Sequence, residues 1–370
     1  MEKEILHKID EIADEMICSI KKIVSIKSIQ EEASKHMPYG KGISDCLNAT
    51  LTLAKQMGFE VENIDEQVGI VKYGKRDDYI GIFGHLDVVE VGDGWDHPPF
   101  VPYENEKGRI FARGILDNKG PMLSNLYALY VLKELNIQLK HPIWLIFGTN
   151  EESGFHDMHY YLTKKKPPIM GWTPDCKYPV VYAERGRSKY QISASYEHQK
   201  EFNAFVNEYL LEKEIGLQKL GLDINDSEFG KMQMRNVSLL DLDILGVEFV
   251  FSYPAIITNK EIQKQLETKI TKNLKLSCTL NYNPVHFEKD GYLCQTLKST
   301  YEDITGLDGT PVTTTGGTYA KIVPNIVPFG PSFPGQKGIG HNPNEWMDRK
   351  DLITNAKIYA ISMYRVANDQ

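Results

Sequence analysis

Ile5, Ile9, Ile12, Met16, Ile20 and Ile23 recur at steps of three and four over residues 2–24, the spacing of an amphipathic helix. Ile43, Leu47, Leu51 and Ala54 repeat the pattern over residues 40–57. Both stretches predict scaffold helices. The pattern then changes to short apolar runs. Tyr79-Ile80-Gly81-Ile82-Phe83 and Ile143-Trp144-Leu145-Ile146-Phe147 are apolar on both faces, which predicts buried strands covered by helices. Residues 120–135 lie between them as a crossover helix, and Val180-Val181-Tyr182 is a further strand. The predicted class is α/β, with a central mixed or parallel sheet flanked by helices.

The organisation changes near Gly186. A strand at 188–195, a helix at 201–214, strands near 230–239 and 247–253, a helix at 259–270 and a strand at 274–282 follow in turn. This β-α-β-β-α-β order is the α+β, ferredoxin-like pattern. It predicts an inserted domain at 188–290, with 1–187 and 291–370 forming the other domain. The chain shows no internal repeat and no low-complexity tract.

Composition narrows the function classes. The chain has 370 residues, 41% hydrophobic and 25% charged, enough for a core that needs no disulfides. Fifty acidic residues against forty-two basic ones give a net charge of −8 and argue against a nucleic-acid partner. The five cysteines are scattered and form no C-x-x-C pair, as in a reduced intracellular protein. Cys176, beside Asp175, is either a soft metal ligand or a neighbour that points away. The sequence begins without an apolar signal core and contains no run of eighteen apolar residues, so no membrane span is expected and the cytoplasm is the default.

Five polar clusters carry candidate chemistry. Gly84-His85-Leu86-Asp87 follows a predicted strand, where open α/β sheets place their sites. An aspartate near an imidazole can hold one nitrogen and leave the other for a metal. Asp117 sits in a loop before a helix, where it or Asn118 could equally be an N-cap. Glu151 and Glu152 follow the 143–147 strand. Adjacent carboxylates at a buried strand end need a nearby cation, and a divalent metal on one would leave the other as a base. A solvated acidic loop is the competing explanation. Asp175 follows a proline and could be a turn residue. His341 lies in a Gly-rich loop and could be a surface residue. Together they offer two histidines and three carboxylates with one spare glutamate. That set suits two divalent ions, zinc first and cobalt or manganese next, about 3.5 Å apart across a bridging carboxylate.

As a set, the stretches at 84–89, 92–100, 108–122, 148–162 and 173–186, with Gly316-Gly317-Thr318-Tyr319 and 341–345, resemble the M20 metallopeptidases. That family contains dipeptidases, aminoacylases, carboxypeptidases and desuccinylases, and the nearest branch resembles the PepV-type bacterial dipeptidases. The resemblance spans 1–187 and 291–370. It implies a zinc-exopeptidase-like catalytic domain acting on a small peptide or N-acyl amino acid. It also implies that Asp117 bridges two ions, His85 and Asp175 complete one, and Glu152 and His341 complete the other. Asp87 would orient His85, and Glu151 would be the general base. Gly316, Gly317 and Thr318 would line the substrate cleft, Asn236 would be a lid asparagine, and the Asp117–Asn118 peptide would be cis.

The inserted domain departs from that pattern. It is shorter than the PepV-type lid and lacks the usual histidine-bearing segment, so His198 is the only nearby histidine. Ser252 stands where the resemblance implies a carboxylate-binding arginine, which leaves Arg235 as the candidate replacement. These departures keep two alternatives open: a catalytically weak or inactive metal- or peptide-binding protein, and an N-acyl amino acid deacylase or desuccinylase.

Overall fold

A computed structural model of the protein describes residues 1–240 and 243–368. The chain divides into two compact units. One comprises 1–181, 288–311 and 318–370, and the other comprises 182–287 and 312–317. The second unit therefore begins a few residues before the predicted insertion and also claims a later segment. One local reason is that the Arg185 amide donates to the Thr314 carbonyl.

The first unit is built on a six-stranded mixed sheet. Its order is Glu60–Ile64, Val68–Tyr73, Ile143–Gly148, Ile80–His85, Met170–Thr173 and Ile326–Pro328. Ile143–Gly148, Ile80–His85, Met170–Thr173 and Ile326–Pro328 run parallel, and Val68–Tyr73 runs against its neighbours. Ile80–His85 and Ile143–Gly148 are buried along their whole length, which is why their sequences are apolar without alternation. The helix Lys119–Glu134 packs against both strands on one side and against Arg349–Asn368 and Ala13–Val24 elsewhere. It is apolar nearly all round because it is covered nearly all round.

Residues 2–24 form two helices, Glu2–Glu11 and Ala13–Val24, instead of one. Ile12 leaves helical geometry at φ −98°, ψ 7°. Ile5, Ile9, Met16, Ile20 and Ile23 are all buried, so the break keeps one apolar face on the core.

The second unit has a four-stranded antiparallel sheet in the order Gln233–Leu239, Leu245–Tyr253, Gly186–Ala194, Lys275–Tyr282. Tyr190, Ile192, Met234, Phe249 and Phe251 pack with Phe202, Phe205, Leu217, Ile262 and Leu266 in one core. The helix expected at 201–214 is instead Gln199–Phe205, a π-turn at Val206–Leu210 and a separate helix, Lys213–Leu220. Glu212 is extended between the last two. Gly216 lets the last helix fold back, since a Cβ there would lie 1.9 Å from the Tyr209 carbonyl oxygen. The helix Asn259–Glu267 begins at a capping box formed by Thr258 and Glu261. No described helix is long and apolar enough to cross a membrane.

Candidate metal centre

Three neighbouring parallel strands deliver their carboxyl ends to one place. His85 ends its strand and pairs in register with Gly148. Glu151 and Glu152 follow Gly148, and Asp175 follows the strand that ends at Thr173. Asp117 enters from the loop before Lys119–Glu134, and His341 from a loop near the C-terminal helix.

The geometry brings the seven metal and catalytic candidates of this unit together. His85, Asp117 and Glu152 place one donor atom each within 4.8 Å of one another, and so do His85, Glu151 and Asp175. His85 Nε2 lies 3.0 Å from Asp117 Oδ1 and 3.7 Å from Asp175 Oδ2. His341 Nε2 lies 3.0 Å from Asp117 Oδ2 and 3.1 Å from Glu152 Oε1. The two oxygens of Asp117 thus face different histidines. Neither group contains a cysteine.

The donor set fits divalent cations electrostatically. Burial, then the charge of Asp117, pushes Asp175 up to about 7. Glu151 is raised well above the usual carboxylate range by burial and by Asp175, and Glu152 is raised by burial and by Asp117. Burial would lower His85, but hydrogen bonds to Asp117, Asp175 and Asp87 outweigh it and hold the imidazole well above its ordinary value. Burial would raise Asp117, but its contacts with His341 and His85 overcome that and hold it low. Like charges crowded in a low-dielectric place are costly without a counter-charge. Two clusters of histidine and carboxylate donors are thus positioned for divalent ions, as in a dinuclear site.

Asp87 meets His85 through both its backbone and its carboxylate. His85 Nδ1 lies 2.9 Å from the carbonyl oxygen of Asp87 and 3.4 Å from its carboxylate. Donation to that carbonyl leaves Nε2 free on the Asp117 side. The Asp87 carboxylate also accepts from the amides of Glu151 and Glu152, at 3.2 and 3.0 Å.

The Asp117–Asn118 peptide is cis. Asn118 makes no side-chain cap, so the N-cap alternative does not describe it. Its Oδ1 accepts from the His85 amide at 3.4 Å, and its Nδ2 donates to the Pro174 carbonyl at 2.6 Å. One side chain therefore ties the loops of His85, Asp117 and Asp175. Gly84 makes room for it, since a Cβ there would lie 2.3 Å from Asn118 Oδ1.

Glu345 is a second junction that the sequence did not reveal. It is wholly buried, and Arg113 Nη1 donates to it at 2.7 Å. Its Oε1 also accepts from the amides of Gly114, Leu116 and Asp117 at 3.1, 2.9 and 3.1 Å. The only sequence clue is symmetrical spacing: Arg113 stands four residues before Asp117, and Glu345 four after His341.

The substrate candidates are distributed otherwise. Asn236 is exposed at φ 48° where the Gln233–Leu239 pairing is irregular, and Gly316 and Gly317 are exposed; all three belong to the second unit. Thr318 belongs to the first unit and caps the turn Tyr319–Lys321 by accepting from Ala320. His198 lies on a surface turn near Glu197 and Glu201.

The sequence model of peptidase family M20/M25/M40 matches residues 81–365. The chain belongs to this family. A Beta-Ala-Xaa dipeptidase of Lactobacillus delbrueckii subsp. lactis is 26% identical over 457 aligned positions, covering 96% of this chain and 97% of that protein. The alignment is longer than the 370 residues present here, so the relative carries stretches without a counterpart in this chain. Human carnosine dipeptidase 1 has a similar fold, with a TM-score of 0.74 at 16% identity over 99% of this chain and 98% of that one. The di-peptidase Dug1p from Saccharomyces cerevisiae also gives a TM-score of 0.74, at 14% identity over 98% of each chain. At such identities the likeness is one of fold. The M20 chain thus combines a metallopeptidase fold with two adjacent groups of metal-binding side chains.

Proposed function

We propose that this M20 protein is a dinuclear-metal hydrolase of amide bonds, dipeptidase-like, acting on small peptides or N-acyl amino acids. The observation that carries the reading is the convergence of His85, Asp117, Glu152, Asp175 and His341 with Glu151 at three adjacent strand ends. In this reading His85 and Asp175 would hold one ion, Glu152 and His341 the other, and Asp117, whose two oxygens face the two histidines, would serve both. Zinc suits the nitrogen and oxygen donors, with cobalt or manganese as substitutes. When bound, the ions supply Lewis-acid polarisation of the scissile carbonyl and a more acidic water.

Glu151 takes the proton of the attacking water and delivers it to the leaving nitrogen. Burial and the charge of Asp175 raise its basicity above that of an ordinary carboxylate, the direction a general base needs. Asp87 holds the loop of Glu151 through the amides at 151 and 152.

We read the second unit as a shortened ferredoxin-like lid; its Asn236, Gly316 and Gly317, and Thr318 of the first unit, are proposed as substrate contacts. Ser252 there is buried, its hydroxyl has no hydrogen-bond partner, and it pairs across strands with Arg187 and Gln233. Arg235, whose guanidinium donates to Gln233 Oε1, is assigned the substrate carboxylate. Ser252 also motivates a second reading, a catalytically weak protein that binds metal or peptide. An N-acyl amino acid deacylase or desuccinylase would use the same chemistry on another acyl group. We assign the protein to the cytoplasm, without nucleic-acid or membrane partners.

Metal analysis of the purified protein, with a panel of dipeptides and N-acyl amino acids, tests the proposal. Two divalent ions per chain and turnover are expected, and Glu151→Ala should lower kcat by about 10²–10⁴ while keeping the metals. A protein that binds no divalent metal would refute it. A Glu151→Ala variant equal to wild type in every assay would favour the weak-binding reading.

A further inference from the structure

Four consecutive backbone amides, Thr149 to Glu152, are divided between two buried carboxylates. Asp87 takes the last two, as described. Asp157 Oδ2 takes the first two, at 2.7 Å from the Thr149 nitrogen and 3.0 Å from the Asn150 nitrogen. The same oxygen accepts the hydroxyl of Tyr319. Asp157 and Tyr319 are both wholly buried. Nothing separates them from the strand end, because a Cβ on Gly148 would lie 1.9 Å from the Tyr319 hydroxyl oxygen and 2.4 Å from Asp157 Oδ2. The Tyr319 ring also stands edge-on to His85, with centroids 6.4 Å apart.

Asp157 is an expensive group in this position. Burial, with the charge of Asp87 next, pushes its carboxyl up to about 6. Among the described residues no Lys, Arg or His forms an ion pair with it. A purely structural acceptor could be neutral and cost less. As a carboxylate Asp157 makes three charge-assisted hydrogen bonds through Oδ2 and a fourth through Oδ1, from the Met158 amide at 2.7 Å, stronger than neutral ones.

We propose that Asp157 is a positioning residue for Glu151. With Tyr319 as its third donor, it anchors the first half of the loop whose second half Asp87 anchors, so that the base leaves the strand end in one orientation. This rests on the reading of Glu151 as the base. The Tyr319 hydroxyl acts through Asp157, so removing either should have a related effect, and removing both should add little.

The test uses Asp157→Asn, Tyr319→Phe and the double variant in the full-length, metal-loaded protein. Amide hydrogen exchange is read over the peptide containing residues 149–152, together with kcat, KM and metal content. Exchange should accelerate about tenfold or more in Asp157→Asn, as for loss of one charge-assisted hydrogen bond. Turnover should fall roughly ten- to a hundredfold, as for a displaced catalytic group. KM should stay within about twofold and the metals should remain, since a positioning defect leaves binding intact. Unchanged exchange, or a lowered melting temperature with unchanged kcat, overturns the proposal. So does loss of metal in parallel with activity, which would place the effect on the ligands. If Asp157→Asn does not fold, Tyr319→Phe, which keeps the ring, decides between the same outcomes. If the wild type hydrolyses no substrate, the reading of the base fails while the exchange data still decide the positioning.

Discussion

Glu345→Gln changes one atom in the junction beneath Asp117. The glutamine carbonyl can occupy the place of Oε1 and keep the amides of Gly114, Leu116 and Asp117. Its amide nitrogen then faces Arg113 Nη1, a donor against a donor, where a 2.7 Å ion pair stood. Arg113 is left with the carbonyls of Glu90 and Val91, each at 3.3 Å, and the Trp95 ring at 5.3 Å. Both partners are at most 1% exposed, so water cannot readily compensate. Breaking a buried pair from one side costs about 3–5 kcal/mol, from a total of about 5–15 kcal/mol. In a unit of this size that is a melting-temperature loss of about 6–20 °C. Glu345→Ala also removes the acceptor of the Asp117 amide, so in that variant metal affinity should fall as well, by about 10–100-fold. Thermal and urea unfolding of the metal-free protein measures the first effect, and titration against a competing chelator measures the second. Adding Arg113→Met to Glu345→Gln removes the stranded charge and should recover most of the stability. A loss under about 1 kcal/mol in Glu345→Gln, the range of exposed pairs, together with unchanged metal affinity in Glu345→Ala, would refute the junction.

Gly148→Ala should cost about 1–3 kcal/mol, since its methyl group meets Tyr319 and Asp157 in a filled space; denaturant midpoints read this directly. His341 is raised to about 10 by its hydrogen bonds to Asp117 and Glu152. In the metal-free protein its stabilising effect is therefore full below an unfolded-state pKa of about 6.5 and is lost as pH rises toward 10. Melting temperatures without metal should decline across that window, and less so in His341→Ala; equal slopes would contradict it. Over the same window metal binding should release protons, seen as a buffer-dependent heat in calorimetry. Arg235→Ala should raise KM for dipeptides about tenfold or more if it grips the carboxylate, with little change for substrates that lack one.

Much of this protein is legible in its sequence because its signals are local. The runs at 79–83 and 143–147 are apolar on both faces, and strands with helices on both sides need that. Residues at the ends of these two strands, His85, Glu151 and Glu152, become candidates from position; Asp175 gained such a position only when the structure showed a strand at Met170–Thr173 before it. The Thr258–Glu261 capping box is local too. The missed features are those in which distant segments choose one another. Helix periodicity continues through Ile12, yet packing divides the helix there. The 201–214 pattern does not reveal that Gly216 must meet the Tyr209 backbone.

The candidate site divides along the same line. Residue types and their loops made these groups candidates, and the M20 resemblance gave them roles; folding then brought them within ligand distance of one another. The supports could not be read that way. Asp157, Tyr319, Arg113, Glu345 and Asn118 are ordinary residues in ordinary contexts until folding brings loops up to 232 positions apart into hydrogen-bond range. Asp87 could be paired with His85 from their spacing, but only the tertiary structure aimed its carboxylate at the amides of Glu151 and Glu152. A sequence records which groups can bind a metal or move a proton; which backbone amides hold them in place is decided when the chain closes and each buried donor must find an acceptor.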